Sequence, residues 1–221
     1  MYDSPAQLVT TFRAEMHDTV APYFWSDAEL YAYMTQAEQV VAQRLMCLQD
    51  MSSSATIYDV AEDEPDIVLH PSVYRIRGAW WIENGHQHKL EIDSVDSILA
   101  EGLHVYTQKG RPGVLMTGAV TDGVRLYPIP QTDGQLRLSI FRVPLRALSA
   151  NEKFEIPFQY RAALLDWMKY RALLKHDADT YSYQSATDCA RAFEALMDTY
   201  ATAESMKRGG PQNGTVSYGG L

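Results

Sequence analysis

The spacing of apolar residues changes twice along this chain, and that change limits the fold more than any single motif does. Helical spacing governs both ends and a two-residue repeat governs the middle, an order that predicts a strand-rich insertion within a helical unit. Ser4 as cap and Pro5 in the first turn open a short helix with Leu8, Val9, Phe12 and Met16 on one side, and Pro22 blocks its continuation. Ser26 and Glu29 form a Ser-x-x-Glu capping box, in which hydroxyl and carboxylate each satisfy an early backbone N–H. Leu30, Met34, Ala37, Val41, Leu45 and Leu48 follow at spacings of three and four, one buried stripe of a long second helix.

From residue 54 to residue 145 the repeat is two and turn residues punctuate it. VYRIR places Tyr74 and Ile76 on one face and Val73, Arg75 and Arg77 on the other. Asp122-Gly123 and Asp133-Gly134 are hairpin signals separating GVLMTGAV, VRLYPIP and QLRLSIFRV, which predicts a three-stranded antiparallel meander. Pro128 and Pro130 cannot donate to a ladder, so the middle strand should end at a sheet edge. A short helix over Val95–Ala100 is predicted from a cap at Asp93 or Ser94 and from Gly102 beyond its end. Trp80 and Trp81 are adjacent strand residues and point to opposite faces, unless a bulge at Gly78 intervenes. One can enter a given core; the other lies at a partner interface or between the chain's own lobes.

Helical spacing resumes after Ile156-Pro157 with Tyr160, Leu164, Trp167, Arg171 and Leu174. HDADTYSYQS turns the chain into a last helix carrying Cys189, Phe193, Leu196 and Tyr200. The predicted class is therefore α+β. A four-helix bundle, residues 1–53 and 146–206, is built from both ends of the chain around an inserted antiparallel β-rich lobe, residues 54–145. Leu30, Val41, Leu164, Trp167, Phe193 and Leu196 are the candidates for packing within that bundle. The remainder, 207–221, is read as an extended C-terminal arm: GGPQNGTVSYGGL holds five glycines and no charge, so it cannot form a core alone. The plain reading of that composition is a disordered terminus, and the sharper one is an arm whose apolar Val216, Tyr218 and Leu221 lie along another subunit.

With 221 residues the chain can bury a core without disulfides, and no run approaches the ~20 apolar residues of a membrane span. The start, MYDSPAQLVTTFRAEMHD, does not read as a secretory signal, so synthesis is expected to end in the cytoplasm. Cys47 and Cys189 read as small core residues rather than a bridge. Acidic residues number 28 against 19 basic, a net charge of -9 that opposes stable wrapping of nucleic acid. Transient passage of DNA remains compatible with that charge. Arg75, Arg77, Arg125 and Arg137 fall on polar strand sides, either a solvated face or one turned to a subunit or DNA.

Catalytic signatures are missing from the sequence: no phosphate loop, no Gly-x-Ser-x-Gly elbow, no His-Glu-x-x-His and no Cys-x-x-Cys. His86 and His88 would share a strand face, and with His104 they define a metal-dependent hydrolase as the alternative from another class; the plain reading is a polar hairpin. Glu62, Asp63, Glu64 and Asp66 could attract calcium, but Pro65 interrupts them and a solvated acidic loop is the simpler account. The expectation is no catalytic residue, no cofactor and no metal.

Three segments carry a resemblance. WSDAELYAYMTQAEQVVAQRLMCL, VRLYPIPQTDGQLRLSIFRVPL and EIPFQYRAALLDWMKYRALLKHDADTYSYQSATDCARAFEALM together resemble tailed-phage head-to-tail adaptor (connector) proteins across most of residues 25–200. The order is specific: a Leu-Tyr-Pro-x-Pro strand, an Asp-Gly hairpin, an Arg-x-Pro exit, an Ile-Pro helix start and a His-Asp-Ala-Asp turn into a Phe-containing helix. The resemblance implies a structural virion protein of the neck, forming a ring, usually of twelve copies, beneath the portal and offering a platform to the tail or nozzle protein below. It also implies that the arm, with Pro211, Val216, Tyr218 and Leu221, lies along the portal protein. A tail-completion or tail-tube ring protein is the alternative within the virion, and a cytoplasmic regulator that binds a host protein is a further one.

Overall fold

The computed structural model describes residues 2–100, 102, 104–175 and 180–208. Two compact units divide the chain, Met1–Leu45 with Arg146–Leu221, and Met46–Leu145.

The first unit is helical. α1, Pro5–Glu15, starts where Ser4 Oγ accepts from the Gln7 N–H. α2, Asp27–Leu45, starts on the capping box, Glu29 Oε2 accepting from the Ser26 N–H at 2.8 Å and Ser26 Oγ from the Glu29 N–H. After the β lobe come a 3-10 turn at Phe158–Tyr160 and then α4, Ala162–Leu173, and α5, Tyr183–Arg208. The predicted stripe of α2 is buried at Leu30, Met34, Ala37, Val41 and Leu45 against α4 and α5, with Phe193 and Met197 from the latter. The four-helix bundle expected from the sequence is not supported. α1 has 11 residues against 26 in α5, so it rises only ~16 Å beside ~39 Å and packs on α2 and α4 as a short brace. The chain is richer in sheet than a bundle-centred reading allows.

The second unit is a curled sheet with strands β1 Gln49–Asp50, β2 Ile57–Val60, β3 Asp66–Val68, β4 Val73–Glu83, β5 His86–Ser94, β6 Val114–Thr117, β7 Gly123–Tyr127 and β8 Gly134–Arg142. A short helix, α3, occupies Val95–Ala100 as the sequence predicts, with Ser94 Oγ accepting from the Ser97 N–H. The strand order is β1-β8-β4-β5-β6-β7-β3, with β2 also on β8. Two expectations are corrected here. The lobe is mixed rather than antiparallel, because the connection through α3 brings β6 back parallel to β5. The three-stranded meander breaks after its first pair: β6 and β7 are antiparallel neighbours, whereas β8 pairs with β4 instead. Pro128 and Pro130 offer no N–H just beyond Tyr127, so the ladder stops there and the chain returns elsewhere. β7 is itself flanked on both sides, by β6 and β3.

The concave side of the sheet holds the core, with Trp81, Leu90, Leu115, Leu126, Leu136, Leu138 and Ile140 all buried. Trp81 fits because position 134 has no side chain: a Cβ on Gly134 would stand 2.2 Å from Trp81 Cζ2. A second cluster under α3 joins Ile98 and Val105 to Met116 and Tyr127. The sequence-predicted bulge at Gly78 is present as a register shift between Ile76 and Gly78, and another between Val73 and Arg75 leaves Tyr74 exposed.

Candidate functional site

Of the packing candidates named from sequence, Leu30, Val41, Leu164 and Phe193 are wholly buried inside the helical unit, so none of them offers a free surface. Trp167 and Leu196 are partly exposed; the Trp167 ring lies 5.0 Å from that of Phe193 and 5.6 Å from that of Tyr170. Pro211, Val216, Tyr218 and Leu221, with the rest of the arm beyond Arg208 and the turn at 176–179, lie outside the described residues.

An apolar surface that sequence reasoning missed lies between α1 and α2. Val20 is 78% exposed and Tyr23 and Phe24 are each 48% exposed, yet their loop is held firmly from beneath. The buried Arg13 guanidinium donates to Asp18, to the Trp25 carbonyl at 2.9 Å and to Asp27 at 2.6 Å, and lies 3.8 Å from the centre of the Tyr23 ring. Asp18 accepts from the Phe24 N–H, and the Trp25 indole donates to the Ala172 carbonyl at the end of α4. Lys175, at the same end, donates to the Phe24 carbonyl and pairs with Glu29 at 2.8 Å. That ammonium and the Ser26 N–H hold the Glu29 carboxyl down to about 2. Large apolar side chains kept in water by a preordered loop fit a contact with another protein. The readable signal was Tyr23-Phe24-Trp25, three aromatics in a row between two helix ends.

Glu38 is a second missed residue. It interrupts the apolar stripe of α2, is fully buried, and its Oε1 accepts from the N–H groups of Glu155 and Ile156 at 2.7 and 3.0 Å. Its Oε2 is buried without a partner, and burial pushes the carboxyl up despite the two N–H bonds and the Arg161 charge. The side chain fastens the returning chain to α2 just before α4. A groove of about 710 Å³ runs between α2 and Ala147–Ser149, lined by Tyr31, Ala32, Thr35, Leu148 and Arg171.

In the β lobe the tryptophan pair divides as strand geometry demands. Trp81 is buried, whereas Trp80 lies on the convex face between Lys89 of β5 and Arg137 of β8, its ring over Gly78. Beyond the far end of β4 an open cleft of about 540 Å³ is lined by Asp59, Glu64, Glu83 and Asp133; its lining contains no hydroxyl, thiol, imidazole or amine.

The metal candidates do not assemble. Among the described residues no three His, Cys, Asp or Glu side chains gather as ligands. His86 and His88 share β5, where His88 meets Arg111 at 3.3 Å, and His104 lies in the loop beyond α3. In the acidic loop Asp63 pairs with Lys109 and Asp66 with Arg125. Arg125, read from sequence as lying on a polar strand side, is in fact buried in that pair and lies 5.1 Å from the centre of the Tyr106 ring. Cys47 and Cys189 are not joined in a disulfide, and burial pushes the Cys189 thiol up. No helix among the described residues is long and apolar enough to cross a membrane.

The family model described as SU10 adaptor protein matches residues 4–215. No curated protein matches the chain.

Proposed function

Because the chain belongs to the SU10 adaptor protein family, phage head-to-tail adaptors of the virion, we propose that it works as one subunit of a ring in the neck, beneath the portal, giving the tail its platform. The observation that carries this reading is the extent of the match: residues 4–215 take in the helical unit, the whole β lobe and the start of the uncharged C-terminal run. The helical unit and the lobe act as two domains, and association between preformed surfaces supplies the energy, without a bond made or broken. The held loop with Val20, Tyr23 and Phe24 supports this reading, since it keeps large apolar side chains ready for a protein partner. The C-terminal arm, through Pro211, Val216, Tyr218 and Leu221, runs along the portal protein, where a neighbouring surface supplies the burial it lacks. A tail or nozzle protein binds below, and DNA passes through the lumen without being retained, in keeping with the net charge of -9.

The test is truncation after Arg208, which leaves α5 whole. The shortened protein is expected to keep the far-ultraviolet circular dichroism of the full chain and to fail to join portal-bearing, tailless heads, judged by sedimentation of the particles. Heads that acquire it as readily as the full chain would remove the arm from the account.

A further inference from the structure

The basic side chains of the β lobe sort into two groups. Lys109, Arg125 and Arg142 pair with Asp63, Asp66 and Asp50, and Arg111 is bonded to His88. The other four, Arg75, Arg77, Lys89 and Arg137, are exposed and form no ion pair among the described residues. They are not scattered. Lys89 and Arg137 flank Trp80 across the ladder, Arg75 lies opposite Phe141 on the same convex face, and Arg77 falls in the bulge before Gly78. Core-facing Ile76 and Ala79 on either side leave both bulge residues on the outer side.

Uncompensated acid collects elsewhere on the same lobe. Asp59, Glu64, Glu83 and Asp133 line the cleft beyond the end of β4, and among the described residues none of them pairs with a cation. From Arg75 to Glu83 along β4 is roughly 25 Å at the rise of an extended strand. The unpaired bases thus run along β4 from Arg75 as far as the level of Trp80, and the unpaired acid lies beyond the strand's end.

We propose that the convex face formed by Arg75, Arg77, Lys89 and Arg137 about Trp80 docks on the acidic end, with Asp59, Glu64, Glu83 and Asp133, of a second copy of this chain. The inference rests on the ring reading above and names the contact that closes it. One surface meeting a different surface on the next copy is a heterologous contact, which generates rings when the rotation closes. Trp80 supplies an aromatic anchor and the arginines around it the charged rim that fixes register and rejects like-charged approach. The chain carries both halves of the complement, so no other partner is needed to satisfy either.

The experiment uses full-length protein and tailless heads, counting adaptor copies per head by quantitative mass spectrometry. One variant carries R77E and R137E, a second E64K and D133K, and a third all four changes. All lie on exposed or half-exposed side chains, and thermal melting checks that each folds. The first two are expected to lose at least tenfold in copies per head. The fourfold variant, and an equal mixture of the first two, should recover most of the wild-type number, because complementarity is restored at every contact. Wild-type incorporation by either one-sided variant, or no recovery in the fourfold variant, would overturn the docking proposal while leaving the ring standing. Wild-type protein bound as isolated single copies would overturn both. Retention of duplex DNA on a filter that R77E/R137E abolishes, with incorporation unchanged, would assign the face to DNA and overturn the proposal too.

Discussion

Glu38 concentrates the physics of single residues in this protein. A carboxyl in an apolar stripe is out of place by helical pattern alone, and sequence reading passed over it because Ala37 and Val41 already satisfied the spacing. Its role depends on two backbone N–H groups supplied from far along the chain, a contact that no local pattern encodes. Since folding raises its pKa, the folded state favours the protonated form. The stability it contributes is therefore fullest below the ordinary carboxyl range and falls as pH rises through the folded value. Glu38→Gln keeps an acceptor for both N–H groups and cannot ionise. It should melt above the wild type at pH 8, with the gap closing towards pH 4. Glu38→Ala leaves both N–H groups buried without acceptors and should cost about 2–4 kcal/mol at pH 4, with the cost shrinking as pH rises and the wild type loses stability, measured by chemical denaturation. The opposite faces of Trp80 and Trp81, by contrast, follow from strand alternation alone and were readable, as was the Ser26–Glu29 capping box.

Among elements, legibility followed the range of the interaction that defines each one. α1, α2 and α3 begin where caps and proline say they should, since those signals act within one turn. Strand pairing is long-range, and there the hairpin signals misled. Asp122-Gly123 introduces a true β6–β7 neighbour pair, while Asp133-Gly134 introduces a strand that joins β4. Gly134 owes its identity to that pairing, because the Trp81 indole occupies the space where a side chain would be. Gly134→Ala should force the indole out of its rotamer and destabilise the β lobe by about 1–3 kcal/mol, read from near-ultraviolet circular dichroism and melting. Gly85, in the β4–β5 turn with φ +77 and nothing near its missing Cβ, serves as the comparison for a glycine valued for its backbone conformation instead.

For the molecule as a whole, the insertion was legible from the change of period and the family from its structural motifs, but the surfaces were not. Burial of Leu30, Val41, Leu164 and Phe193 shows why: an apolar stripe marks the core of a subunit, whereas contacts between subunits draw on exposed side chains that carry no periodic signal. Residues 46–145 contain every strand among the described residues and both β-lobe clusters. Produced alone, this segment is expected to fold, giving a dispersed amide NMR spectrum and cooperative unfolding. A collapsed spectrum would show that the lobe needs the helical unit to fold.

The pairing of Gln49 with Phe141 and of Asp50 with Ile140 sets the lobe's opening strand beside its closing one. A hundred-residue excursion of the chain therefore leaves and returns through a doorway only two strands wide, at ~5 Å spacing. To the helices, such a visitor is little different from a short turn. Residues can therefore be added to or removed from the lobe with little change in the entropy of closing it at that doorway.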